Sequence, residues 1–377
     1  MSKKKWLSLF LAGAMLIGCL AGCGGGGEST ESPTGGDTPG TTESTAPVEN
    51  DPVMELLGNK GEGLVVGLTV SDLASTYIVS AAEYTQKLLE AAGAEVHLVN
   101  CESNASTQSS QIDDFITMGC DVIMIHAADS EALAPAVQRA NDAGIPCIGF
   151  NKEITGADLA FTVVSSDNVA TGASAAQWLA DKAKELGVEN PKIAVMQGTL
   201  TQSDAYLRQD GIEEVAAAEG LMLINNPCDW ASDQAESALS DTLTANPDLF
   251  GIITHCDSMD PGVISALRQA GKDGAAGEDN HIWWSGIDCD PVGVEALNTG
   301  LMDVCVEQSP LTLATVIVKG VLEYVINGED LGGQLIPMET RVVTGEETSD
   351  PNLWALYDMD SDEFWVNTVN AWNSYLN

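Results

Sequence analysis

Short apolar runs alternate with amphipathic stretches from residue 64 to residue 308, and no other feature of this chain restricts its fold as strongly. The runs 64–70, 95–100, 122–126, 146–151 and 161–166 have strand length and are rich in Val and Ile. Between the first four of them, 74–92, 105–119 and 130–143 place apolar residues at helical spacing. The order predicts βαβ units around a parallel sheet. A second set follows: helices 168–187, 204–219, 232–246, 258–271 and 291–299, with strands 192–197, 221–225, 251–256, 282–288 and 302–308. The expected class is therefore α/β, with one parallel-sheet lobe after another. The 377 residues agree, since a single core rarely grows beyond roughly 250 to 300.

Charge narrows the partners. Fifteen Lys and Arg stand against 56 Asp and Glu, a net charge of −41, the wrong sign for a phosphate backbone. Nucleic acid is excluded as an expected partner. Cys19 and Cys23 lie in an N-terminal export segment, which leaves Cys101, Cys120, Cys147, Cys228, Cys256, Cys289 and Cys305. No C-x-x-C pair occurs and the number is odd, so most of them read as buried small apolar residues and not as a disulfide framework.

Lys3-Lys4-Lys5 followed by the apolar run 6–17 reads as a signal peptide over 1–22. Its end, Leu20-Ala21-Gly22-Cys23, resembles the bacterial lipobox, which implies lipidation of Cys23 and anchoring on the extracytoplasmic face of the cell membrane. Leu16-Ile17-Gly18-Cys19 fits the same pattern, but cleavage there would leave an apolar remnant. Residues 23–61 read as a flexible acidic tether, with 24–52 almost devoid of apolar side chains. Gly22-x-Gly24-x-x-Gly27 satisfies a dinucleotide fingerprint by letter, yet follows no strand and opens no helix.

Polar residues gather where each expected strand ends: Ser71-Asp72, Asn151-Lys152, Asp229-Trp230, Cys256-Asp257, Asp288 and Gln308. In open parallel sheets ligands bind outside the carboxyl ends of the strands. Carboxylates and amides suit the hydroxyl groups of a polyol, while Tyr and Trp rings suit its C–H faces.

Leu68-Thr-Val-Ser71, Ala128-Asp-Ser130, Ala143-Gly-Ile-Pro146, Ser166-Asp-Asn168, Met196-Gln-Gly198, Gly286-Ile-Asp288 and Val306-Glu-Gln308 stand in one order over 62–345. That order resembles the ribose-binding type of periplasmic sugar-binding protein, the type I solute receptors of ABC importers. The resemblance implies two Rossmann-like lobes joined by three hinge crossings, here near Asp167, Ser309 and Pro337. The first lobe would comprise 62–166 and 309–337, the second 167–308 and 338–377. Ligand-binding residues carried over are Ser71, Asp72, Ser75, Tyr77, Trp230, Asp257, Asp288 and Gln308. Asn151 and Lys152 replace an Asp-Arg pair, Tyr206 with Arg208 nearby stands for an arginine, and Cys256 replaces an asparagine. Loss of guanidinium forks argues against ribose itself, since Lys is a point charge.

The resulting expectation is a monomeric extracytoplasmic lipoprotein that passes a sugar or polyol to importer membrane subunits, with no cofactor and no metal. An enzyme finds no support in G-x-S-x-G, H-E-x-x-H or P-loop motifs, and His97, His126, His255 and His281 lack ligand spacing. Asp358, Asp360 and Asp362 lack the Gly and Glu that a calcium loop needs. A regulator of the same fold would need a basic helix-turn-helix before the first lobe. A receptor that presents a sugar or other small signal molecule to a membrane sensor stays open as the alternative.

Overall fold

A computed structural model describes residues 56–329 and 331–376; the expected signal peptide, Cys19, Cys23 and most of the expected tether lie outside them. The first half runs β1 (Val65–Val70), α1 (Thr76–Ala91), β2 (Glu95–Asn100), α2 (Ala105–Met118), β3 (Val122–Ile125), α3 (Ala134–Asp142), β4 (Cys147–Phe150) and β5 (Phe161–Val164). The second runs α4 (Asn168–Leu186), β6 (Lys192–Gln197), α5 (Ser203–Glu219), β7 (Met222–Pro227), α6 (Ser232–Ala245), β8 (Gly251–Thr254), α7 (Asp260–Ala270), β9 (Trp283–Asp288), α8 (Pro291–Asn298) and β10 (Val304–Glu307). Then come α9 (Pro310–Lys319), β11 (Gln334–Pro337), β12 (Arg341–Val343) and α10 (Asp362–Ser374).

Two six-stranded sheets result, ordered β11-β5-β4-β3-β1-β2 and β12-β10-β9-β8-β6-β7. Every pairing is parallel except β10 with β12. The inner strands β3, β4, β8 and β10 are buried along their whole length, as mostly apolar strands covered on both faces are, with Thr254 and Glu307 as the polar last residues of β8 and β10. Local signals set the helix ends: Asn104 and Asp167 side chains accept N–H groups at the starts of α2 and α4, and Gly187 closes α4 in the left-handed region.

The chain passes between lobes near Asp167, Ser309 and Pro337. It then passes a fourth time, because Leu353 is buried in the second lobe's core and Trp354 in the first's. The assignment of 338–377 to the second lobe is thereby corrected: β12 joins that lobe, but α10 covers α1 and α9 of the first. Phe364 and Trp372 are buried there, with Phe364 5.2 Å from the Tyr84 ring. Those two helices leave apolar surface that only a further apolar helix removes from water. The tether boundary at 61 is corrected too. Leu57 is fully buried in the first core and the Gly61 N–H donates to the Ala92 carbonyl, so the folded lobe starts before residue 62. All seven cysteines outside the export segment are buried free thiols.

Candidate functional site

The carboxyl ends of both sheets face one another across a cavity of about 170 Å3. From the first lobe Asp72, Ser75, Tyr77, Asn151 and Lys152 line it; from the second, Arg208, Trp230, Cys256 and Asp288. These nine are sequence-expected positions. Ser75 precedes α1 but makes no side-chain cap bond, which leaves its hydroxyl to the cavity. Asn151, Asp229, Trp230, Asp288 and Cys289 all have positive φ, at 62°, 48°, 63°, 104° and 64°. Such conformations cost roughly 1 to 3 kcal/mol each and gather where the surrounding structure aims side chains at a ligand.

Four expected residues lie elsewhere. Ser71 is fully buried beneath the cavity, its hydroxyl within hydrogen-bond distance of both Asp72 Oδ2, at 2.9 Å, and His126 Nδ1, at 3.0 Å. Gln308 is also fully buried; its Nε2 donates to Asp288 Oδ1 at 2.8 Å and its Oε1 accepts from Arg208 Nη2 at 3.4 Å. It orients the two lining groups from behind. Asp257 turns into the second lobe, where one oxygen accepts the Asp290 N–H at 2.6 Å against Gly293, because the short turn after Cys256 points successive side chains to opposite sides. Tyr206 is half-buried outside the cavity, its hydroxyl beside Thr155. Arg208, two residues further along α5, occupies the inward position assigned to Tyr206: Nε donates to Asn168 Oδ1 at 3.0 Å and Nη1 to the His255 carbonyl.

Asp204, Asp229, His126, Ser103 and Ser258 also line the cavity and were not among the expected binding residues. Asp204 sits in the first turn of α5, where an acidic residue reads as a partner of the helix dipole. Asp229 belongs to the sheet-end pair Asp229-Trp230, of which only Trp230 was carried into the binding set. His126 follows β3 directly, the one signal that pointed to it.

Electrostatics divides the cavity. Burial lowers the Lys152 pKa, opposed by Asp204 and Asp72. Its Nζ lies 2.5 Å from Gln202 Oε1 and 3.6 Å from the Asp204 carboxylate, both across the cleft. Burial pushes Asp288 up to about 7 despite the Arg208 charge that pulls it down. Trp230 Nε1 donates to the same Gln202 oxygen at 2.6 Å, while its ring centre lies 5.8 Å from Lys152 Nζ and 5.9 Å from Arg208 Cζ. On the other wall Tyr77 meets Trp354 edge-on at 6.0 Å, and Trp354 Nε1 donates to the Asp288 carbonyl at 2.7 Å.

Beside the cavity the lobes bond directly. Ser130 N–H donates to the Thr201 carbonyl at 3.1 Å, Gln202 Nε2 to the Ala128 carbonyl at 3.0 Å, Ser203 N–H to Ser130 Oγ at 3.0 Å, and Glu153 N–H to Ser203 Oγ at 3.0 Å. This latch joins the loops after β3 and β4 to the start of α5.

Two α/β lobes with strand ends turned toward a shared polar cavity define a bilobal ligand-binding protein. A periplasmic binding protein domain matches residues 66–330, and the chain belongs to that family. It is 27% identical over 281 residues to the ribose import binding protein of Escherichia coli (strain K12), covering 74% of this chain and 90% of that one. It is 30% identical over 265 residues to the xylitol-binding protein of Mycolicibacterium smegmatis, covering 68% and 72%. In fold it is similar to an ABC transporter solute binding protein from Bacillus halodurans C-125 with bound myo-inositol, at TM-score 0.67 and 23% identity over 79% of this chain and 99% of that one.

Proposed function

We propose that this protein captures a sugar or sugar-like polyol between its lobes and delivers it to an ABC importer. The observation that carries the reading is the cavity at the two sets of strand ends, where carboxylates and amides stand beside Tyr77 and Trp230. Hydroxyl groups donate to Asp288 and accept from Asn151, while ring C–H faces pack on the aromatic side chains. The relatives above are named for ribose import and for xylitol, which supports this substrate class and an importer over a sensor as partner. Binding without chemistry is part of the proposal, as is a monomer held outside the cytoplasmic membrane by lipid on Cys23.

A thermal-shift screen across pentoses, hexoses, polyols, amino sugars and nucleosides tests it. A compound present at about 100 times its Kd adds roughly 2.7 kcal/mol to the folded state and raises Tm. The expected result is a shift with sugars or polyols and recovery of the compound unchanged by mass spectrometry. A shift confined to nucleosides, or conversion of the compound, would overturn the reading.

A further inference from the structure

His126 and His255 occupy equivalent places in the two lobes, each directly after the third strand of its sheet in chain order, β3 and β8. Each backbone N–H bonds to the neighbouring strand, His126 to the Thr69 carbonyl at 2.9 Å and His255 to the Met196 carbonyl at 3.1 Å. Each Nδ1 accepts the N–H of the residue that follows that neighbouring strand, Ser71 at 3.3 Å and Gly198 at 3.4 Å, and the Ser71 hydroxyl, 3.0 Å from His126 Nδ1, can rotate to donate there as well. An Nδ1 that accepts a backbone N–H carries no proton of its own, so the hydrogen of a neutral ring sits on Nε2. Among the described residues both Nε2 atoms lack a hydrogen-bond partner, and both residues are about 1% exposed or less. Leaving such a donor unmatched costs roughly 1 to 3 kcal/mol. The two histidines differ in one respect: His126 lines the cavity and His255 does not.

We propose that His126 is a specificity-determining residue of the cleft, donating its Nε2–H to an uncharged oxygen of the bound sugar or polyol and disfavouring a ligand with an ammonium group at that point. This rests on the sugar or polyol reading above. The imidazole stays neutral because burial and the positive charge of Lys152 both lower its pKa, and because a second proton would oppose the Ser71 N–H. Ser71 is thereby given a role as the positioning residue that fixes the ring's tautomer. An ammonium has three donors and no acceptor, so it would meet His126 donor to donor with Lys152 nearby. A hydroxyl, ring or carbonyl oxygen there satisfies the orphaned N–H.

The test starts with D-ribose, D-galactose, xylitol and myo-inositol as probes. The one with the largest thermal shift is titrated by calorimetry into wild type, His126→Phe and His126→Gln, together with its monodeoxy and monoamino derivatives. Phe keeps an aromatic ring without the donor; Gln keeps an N–H. The expected result is a loss of at least tenfold in affinity for His126→Phe and partial recovery for His126→Gln. At one carbon of the probe, deoxygenation or amination should cost wild type about tenfold and His126→Phe nothing further. In spectra of 15N-histidine protein, which has only four histidines, the His126 signal should show an unprotonated Nδ1 at neutral pH. Its Nε2–H should move on saturation with the probe, a readout that remains if His126→Phe fails to fold. Wild-type affinity in a folded His126→Phe, a proton on Nδ1, or an unmoved Nε2–H would overturn the assignment alone. Binding of none of the four probes by wild type would overturn the sugar reading and this inference with it.

Discussion

Asp288 carries the most charge-sensitive contact in the cavity. Replacing it by Ala removes a charged acceptor, and affinity for a bound sugar or polyol should fall about tenfold to hundredfold, for roughly 1.5 to 3 kcal/mol. Because burial holds this carboxyl near 7, its proton returns as pH drops through neutrality and the acceptor loses its charge. Affinity should therefore rise between about pH 6 and about pH 8 in calorimetric titrations, and Asp288→Asn should abolish that slope. Behind it, Asp260 is fully buried beside Asp257 and Thr254, and burial with repulsion from Asp290 raises its pKa well above the usual carboxylate value. Asp257 is raised in the same way, by burial first and then by Asp260. Such groups bind protons more tightly in the folded state, so their stabilisation is complete below about pH 4 and is lost as pH rises through the raised values. Thermal melts should show Tm falling as pH rises above about 4, and Asp260→Asn should raise Tm at neutral pH; an unchanged profile would refute this. Asp288, Asn151 and Lys152 were legible because they end strands. Asp257 was legible as a strand-end residue but not in its direction, which depends on the turn that sends it beneath Asp290. His126 and Asp204 were hidden because a lone histidine and an acidic first-turn residue each have ordinary local explanations.

Alternating patterns fix secondary structure well, and β2 and β6 match their expected bounds residue for residue. What such patterns omit is where an element docks. The 362–374 stretch has the spacing of an amphipathic helix, but nothing local says that its apolar face belongs to the first lobe. Close helix contacts are equally silent in sequence. A Cβ at Gly172 would lie 2.0 Å from the Arg208 carbonyl oxygen, and one at Gly211 would lie 2.0 Å from the Val169 oxygen. The reciprocal glycines let α4 and α5 meet backbone to backbone, which seats Arg208 against Asn168. Gly211→Ala should force the helices apart, costing about 1 to 3 kcal/mol, and should weaken binding as Arg208 shifts. Denaturant melts with a parallel titration check both effects; wild-type stability would contradict the close contact.

At the scale of the molecule, the latch ties the loops after β3 and β4 of the first lobe to the start of α5 in the second by direct hydrogen bonds. Population of this closed arrangement should fall when the latch is cut. Ser203→Ala removes the Oγ that accepts from Glu153, and adding Gln202→Ala removes the amide shared by Lys152, Trp230 and Ala128. Small-angle scattering of the ligand-free double variant should show a larger radius of gyration than wild type, with saturating ligand shifting it back toward the compact value. Equal radii would mean that the latch contributes nothing to closure. The lipid anchor proposed on Cys23 bears on placement: Cys23→Ala should release the protein into the medium or leave the precursor uncleaved, read by fractionation and intact mass.

The fourth passage between lobes has a practical consequence. Leu57 and Trp372 are buried in the same core, and Lys60 lies 5.2 Å from the Trp372 ring, so both ends of the described chain ride on the first lobe. A pair of fluorophores attached at residues 56 and 376 would report almost no distance change when the cleft shuts, however large the swing. An optical sensor built from this protein therefore needs one of its chromophores inserted within the second lobe, and the exposed turn at 276–279, which precedes β9 and so lies away from the carboxyl ends of the strands, offers a place to put it.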